Sequence, residues 1–248
     1  SRAEWNKEEG RRKPGMKVIL LTHTPEPDRV VATAARLCYS SLPAEDLWEG
    51  LTPEKQGKFL AKLWSYGHLS PFEHISFTFA ITGVSRSLSH QLVRHRIASY
   101  SQRSQRYVDE GEFKVITPPS ITGDFQAKKE FDAAIGQIRE AYKRLIALGI
   151  PKEDARYLLP NACETQLIMT MNARSLFNFF QLRCCRRAQL EIQELAWEIR
   201  HQVLKVAPVV FSKSGPGCLV KGECPEGALT CGHPYVEGEG LNSGKESN

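Results

Sequence analysis

A fourteen-residue stretch, RHRIASYSQRSQRY (94–107), carries four arginines and one histidine and not a single acid. It cannot be folded into an ordinary core, because an unpaired charge taken out of water costs several kcal/mol, on the order of the penalty for any buried ion. The serines and glutamines between the arginines are hydrogen-bonding side chains. The stretch is therefore either a solvated basic loop or a holder of anions. Runs of charge are most often surface, yet the planar guanidinium fork also suits phosphate and carboxylate. Both readings stay open on composition alone.

The rest of the chain must supply the core. Its 248 residues are 41% hydrophobic, enough for one sizeable domain and short for two. The net charge of +5 is mildly basic, so a nucleic-acid partner is not indicated. No apolar run approaches the ~18–20 residues of a membrane span, and no signal-type apolar segment opens the chain. Seven cysteines, two of them adjacent at 184 and 185, fit a reducing cytoplasm better than a disulfide-stapled secreted domain. Residues 1–15 are polar and rich in charge, and MKVILL from Met16 reads as a start followed by a strand. The first fifteen residues are set apart as a disordered extension.

Periodicity then gives a mixed order of elements. Residues 17–22 and 74–81 (HISFTFAI) alternate as strands, the second ending at Gly83, and 165–171 reads as a third. Helices are expected at 27–38 and at 53–66, stopped by Gly67, and at 85–95, so that the basic stretch begins on a last helical turn and continues into a loop. Asp124 caps a long amphipathic helix ending at Gly149, and Pro151 opens a short one with Glu153 and Asp154 in its first turn. Asn172 caps another, with Leu176, Phe177, Phe179 and Phe180 on one side and Arg174, Asn178 and Gln181 on the other. A last helix spans 188–206, and patterning fades after Pro208. Irregular alternation of this kind points to α+β.

Three polar groups stand against this frame: the basic stretch, GHLSPFEH (67–74), and the polar face with Asn172, Arg174, Asn178 and Arg183. His68 and His74 lack a zinc spacing. There is no G-x-S-x-G elbow, glycine-rich phosphate cradle or cysteine beside a histidine to serve as nucleophile.

Together the three groups resemble a known family. RHRIASYSQRSQR matches the RHRxxSxxxxSxR pattern of flavin-dependent thymidylate synthases, and GHLSPFEH and DARYLLPNACET…MNARSLFNFFQLR (154–183) are similar to two further segments of that family. The resemblance covers about 16–210. It implies a single α+β domain with a central, mostly antiparallel sheet and flanking helices, in a homotetramer whose sites are assembled at subunit interfaces. It implies methylation of dUMP to dTMP, with methylenetetrahydrofolate as one-carbon donor and reduced FAD, re-reduced by NADPH, as hydride donor. By the same resemblance Gln91, Arg94, Gln102, Arg103, Ser104, Gln105, Arg106, Arg156 and Arg183 meet dUMP, with Arg156 coming from another subunit. His68, Ser70, Arg94, His95, Arg96, Gln102, Asn172, Ala173, Arg174 and Asn178 meet FAD. Arg183 is the catalytic residue, at the uracil edge, where a fixed cation stabilises developing negative charge. A dense arginine set unneutralised by acids would suit three anionic ligands.

Two competing readings are a nucleic-acid-binding module, for which only Tyr100 and Tyr107 could stack, and a flavin-using methyltransferase acting on RNA. Residues 211–248 form a Cys- and Gly-rich tail. Its Cys218, Cys224, Cys231 and His233 could make a Cys3His zinc site, although the spacings are loose, and free thiols are the plainer expectation.

Overall fold

Alternation of large apolar side chains is what makes β2 a central strand. In a computed structural model, which describes residues 15–107 and 110–236, β2 (Ser76–Ser85) buries Phe77, Phe79 and Ile81 completely. β1 (Lys17–His23), β2, β3 (Ser99–Gln102) and β4 (Glu164–Asn172) form one antiparallel sheet in the order β1-β2-β4-β3. The expected α+β class, with helices flanking a central sheet, is what the chain adopts. β2 runs through Gly83 rather than ending there. This glycine has φ 68°, and a Cβ on it would lie 1.8 Å from the Gly15 carbonyl oxygen, so the strand continues because the residue has no side chain.

The helices are α1 (Pro27–Leu37), α2 (Ala44–Glu49), α3 (Pro53–Tyr66), α4 (Arg86–Leu92), α5 (Pro119–Thr122), α6 (Phe125–Ala147), α7 (Lys152–Ala155), α8 (Ala173–Arg183), α9 (Leu190–Val206), α10 (Pro208–Phe211) and α11 (Gly217–Lys221). The caps read from sequence are in place. Asp124 accepts from the Ala127 N–H at 2.8 Å, Asn172 from the Ser175 N–H at 2.8 Å, and Gly67 closes α3 with φ 64°. α9 begins later than expected because the Gln189 side chain caps it through the Ile192 N–H. The short α2, α10 and α11 carried no periodic signal.

The described residues gather into two compact units, one holding the chain up to 17 with 80–94 and 100–168, the other 18–79, 95–99 and 169 onward. β2 and β4 contribute residues to both. The first unit has a small core of Phe113, Ile135 and Cys163, packed by Val115, Phe131, Ile138 and Leu159. The second is aromatic: Phe177 lies 4.5 Å from Trp64, 5.2 Å from Phe72 and 5.4 Å from Phe211, ring centre to ring centre. Removing one such ring costs about 3–5 kcal/mol, so α8, which carries Phe177, is firmly seated. Residues 1–14 of the expected extension and 237–248 of the expected tail lie outside the described residues. Among the described residues no helix is long and apolar enough to cross a membrane.

Candidate active site

In the first unit the basic stretch leaves its helix early. α4 is capped by Ser85 and ends at Leu92, so Arg94 lies in the turn beyond it, exposed, and Gln91 is half-buried in the last helical turn. The chain then forms β3 where a loop was expected. SYSQ has no apolar alternation to announce a strand. It becomes one because its backbone runs beside β4, and the Arg103 N–H just after it donates to the Gln166 carbonyl at 3.0 Å.

This pairing fixes the side chains that follow. The Gln102 amide donates to Thr165 Oγ1 at 3.2 Å, and Arg103 donates through Nη2 to the Glu164 carbonyl at 3.1 Å. The same nitrogen lies 3.3 Å from Oε1 of buried Glu110. Arg86 donates to the Arg103 carbonyl at 2.7 Å, and the Nε atoms of both arginines are buried without hydrogen-bond partners among the described residues. Burial lowers the Arg86 pKa, and the Glu110 charge partly restores it. Beyond the strand, Ser104 Oγ accepts the Arg106 N–H at 3.2 Å, and Gln105 sits half-buried between them. Arg106 donates to one Glu153 oxygen through Nε at 3.2 Å and Nη2 at 2.9 Å, while Arg156 Nε donates to the Glu153 carbonyl at 3.1 Å.

These contacts correct one expectation. Arg103 and Arg106 are not left unneutralised, because Glu110 and Glu153 reach them through the fold. Arg156 lies beside the same Glu153, on its carbonyl. Arg86, Glu110 and Glu153 went unassigned in the sequence. The first two had no signal there, and Glu153 was accounted for as a first-turn acid.

The second unit holds a different arrangement. α8 leaves Arg174 and Asn178 exposed and ends on Arg183. Arg183 Nε donates to His95 Nε2 at 3.2 Å. An accepting Nε2 places the imidazole proton on Nδ1, so the ring is neutral. His95 is buried, with the edge of its ring set against Phe179 at 5.0 Å. Burial, helped by the Arg183 charge, lowers its pKa to about 4. Among the described residues no carboxylate pairs with Arg183, whose own pKa is lowered by burial.

The remaining residues of this set are spread along the unit. Arg174 forms an ion pair with Glu73, and His68 Nδ1 is 3.1 Å from the Tyr39 hydroxyl. Ser70 and Arg96 are exposed. Asn172 is occupied as the α8 cap, and Ala173 is buried, with its N–H on the Ile75 carbonyl. In the tail, Cys218 Sγ accepts the Tyr235 N–H, Cys231 Sγ donates to the His233 carbonyl, and the His233 side chain is exposed. Among the described residues no three His, Cys, Asp or Glu side chains are grouped to hold a metal ion, so the Cys3His arrangement is not assembled.

The expected residues thus sort themselves. All of the dUMP set except Arg183 falls in the first unit, and all of the FAD set except Arg94 and Gln102 falls in the second.

Residues 19–209 match the family model described as thymidylate synthase complementing protein. Over 234 residues the chain is 53% identical to the flavin-dependent thymidylate synthase of Clostridium tetani, covering 88% of this chain and 94% of that one. It is also 53% identical, over 219 residues, to the enzyme of that name from Geobacter sulfurreducens, with the same coverage. Among solved structures, a UMP/dUMP methylase, PolB of Streptomyces cacaoi bound with 5-Br dUMP, superposes with a TM-score of 0.71 at 28% identity, covering 79% of this chain and 93% of that one.

Proposed function

Because the chain belongs to the flavin-dependent thymidylate synthase family, we propose that it methylates dUMP to dTMP, taking the one-carbon unit from methylenetetrahydrofolate and the hydride from FAD reduced by NADPH. The observation that carries this reading is Arg183 held by a neutral, buried histidine. A guanidinium so placed keeps its full charge and a fixed direction. Its pKa is far too high for a general base, so it acts electrostatically.

The residues fit an anionic dinucleotide. Arg94 and Arg96 are exposed cations, His95 adds no competing charge, and Asn178 offers amide donors. Arg174 would exchange Glu73 for a ligand oxygen. Bound flavin would supply the hydride chemistry. The chain's own residues hold and orient what it acts on. Arg103, Ser104, Arg106 and Arg156 grip the nucleotide phosphate, a hydroxyl beside guanidinium forks being well suited to wrap its oxygens. Gln91, Gln102 and Gln105 complete that side. Arg183 faces the uracil edge and stabilises negative charge as it builds on N3 and the carbonyls. No cysteine nucleophile is required, and burial pushes the Cys163 thiol up to about 12, away from reactivity.

The catalytic domain is assigned to 16–210 and the tail to 211–248. A homotetramer with shared sites is the assembly this reading takes. Ile97, Tyr107 and Tyr157 support it, being large apolar side chains left 76%, 76% and 84% exposed beside the arginines. Seven free thiols suit a cytoplasmic setting.

The test is thymidylate formation from dUMP with methylenetetrahydrofolate, FAD and NADPH supplied together, and its loss when any one is withheld. UMP and a uridine-containing RNA serve as parallel substrates, since the PolB relative is named for both UMP and dUMP. Turnover confined to RNA would overturn the reading.

A further inference from the structure

The thiols of the tail are not used by the proposed reaction, yet the fold gathers them. Cys185, Cys218, Cys224 and Cys231 line one small cavity of about 10 Å³, although Cys185 lies at the end of α8 and the others in the tail. Four of seven cysteines around one cavity, three of them in a tail with little apolar core of its own, mark a place where a cross-link would act as a staple.

We propose that Cys185 and Cys231 are a reversible disulfide-forming pair, oxidised by low-molecular-weight disulfides, that ties the tail to the end of the helix bearing Arg183. Several contacts already hold the two segments together. Arg187 Nη1 lies 2.6 Å from Glu226 Oε2, Arg186 Nε donates to the His233 carbonyl at 2.9 Å, and the Arg186 guanidinium stacks 3.9 Å over the Tyr235 ring. The entropy of closing the intervening loop is therefore already met when the thiols are reduced. Gly232, with φ 76°, gives the turn beside Cys231 freedom to bring its sulfur inward.

The other cysteines fit less well. Cys184 is fully buried, closed to a reagent, and Cys218 is buried with its sulfur engaged by the Tyr235 N–H. Cys185, Cys224 and Cys231 are all half-buried, and what favours Cys231 is that Arg186, next to Cys185, donates to the carbonyl of His233, two residues from Cys231. A metal-bound alternative lacks three converging donors among the described residues.

The chemistry is thiol–disulfide exchange. One thiolate attacks oxidised glutathione, forming a protein–glutathione S–S bond and releasing one glutathione thiol. The second thiolate then attacks the protein sulfur of that mixed disulfide, forming the Cys185–Cys231 bond and releasing the second. Two electrons pass to the reagent, and the two thiol protons end on the released glutathiones.

The experiment compares full-length protein incubated with reduced or oxidised glutathione, alkylated, and digested with trypsin without reduction. Trypsin leaves Cys184 and Cys185 on residues 184–186, and Cys224 and Cys231 on residues 222–245. Oxidised protein should yield these two peptides linked, with exactly two thiols per chain lost to alkylation and restored by dithiothreitol. Cys185→Ser and Cys231→Ser should each abolish the linked species, and Cys184→Ser and Cys224→Ser should each retain it. Full alkylation after oxidation, a link that survives Cys185→Ser or Cys231→Ser, or about one zinc per chain on the reduced protein blocking oxidation would each overturn the proposal. Fragmentation of the linked wild-type peptides, which separates Cys184 from Cys185 and Cys224 from Cys231, decides even if a variant fails to fold, and a link through Cys184 or Cys224 would overturn the proposal.

Discussion

Arg103 and Arg106 of the first unit and Arg183 of the second are held in opposite ways, although the second unit also pairs one of its arginines, Arg174, with an acid, Glu73. In the first, Arg103 meets Glu110 and Arg106 meets Glu153, so each cation has an acid on it. In the second, Arg183 meets a neutral imidazole. An acid on the exposed Arg106 guanidinium contributes little, so under the proposed function Glu153 would be exchanged for the dUMP phosphate and would act as a placeholder. A neutral acceptor fixes the direction of a guanidinium and leaves its charge intact. That suits a charge appearing only in the transition state, where preorganisation matters most. The contrast separates gripping an anion that is always present from stabilising one that forms transiently.

The largest expected effect tests the second half of that contrast. Arg183→Lys keeps the charge but loses the planar fork and the Nε bond to His95. The rate of reduced-flavin oxidation in the presence of dUMP should fall by about 100-fold or more, with flavin binding retained. An unchanged rate in rapid-mixing experiments would remove Arg183 from the mechanism.

Next is His95 itself. Its pKa is lowered from 6.5 to about 4, so the unfolded chain binds the extra proton first as pH falls. The neutral ring's contribution is complete above pH 6.5 and drains away between 6.5 and 4. The linkage amounts to about 2 kcal/mol between pH 7.5 and 5, and at most about 3 kcal/mol in all. Denaturant titrations at those two pH values should show this loss for the wild type. His95→Gln, which keeps an acceptor for Arg183 but cannot titrate, should be flatter by that amount. Parallel curves would mean that His95 is not held neutral.

Which half was legible in the sequence follows from the same contrast. The element pattern was readable where burial alternates or a cap is local, as at Phe77, Asp124 and Asn172. β3 was not, because a polar strand is specified by its neighbour's backbone. The arginines were legible as a local run, and both sets of candidate residues came from the resemblance. What it missed were their partners. Glu153 is 47 residues from Arg106 and reaches it only through the chain's path to α7, and Glu110, though near Arg103 in sequence, carries no local signal that it would be buried against it. The neutrality of His95 was invisible for the same reason, since it depends on burial against Phe179.

Arg106→Ala tests the gripping half. It removes a charge-assisted fork from the phosphate, so KM for dUMP should rise by about tenfold while kcat changes by less, the signature of lost uniform binding. Deoxyuridine, which has no phosphate, should be turned over equally poorly by wild type and variant. A variant that lowered kcat with KM unchanged would move Arg106 from grip to catalysis.

The smallest effect is the sharpest for the placeholder idea. Glu153→Gln leaves a side chain of the same shape that still accepts a hydrogen bond from Arg106, and it leaves the Glu153 carbonyl on Arg156 untouched. What is lost is the negative charge that dUMP must displace. Exposed ion pairs are weak and screened by salt, so KM for dUMP should fall by no more than about fivefold, and the gain should shrink as salt is raised. If Glu153 instead aims Arg106 at the phosphate, the same substitution raises KM at every salt concentration. The sign of one small change thus decides whether the acids of the first unit stand in for the substrate or build the site that receives it.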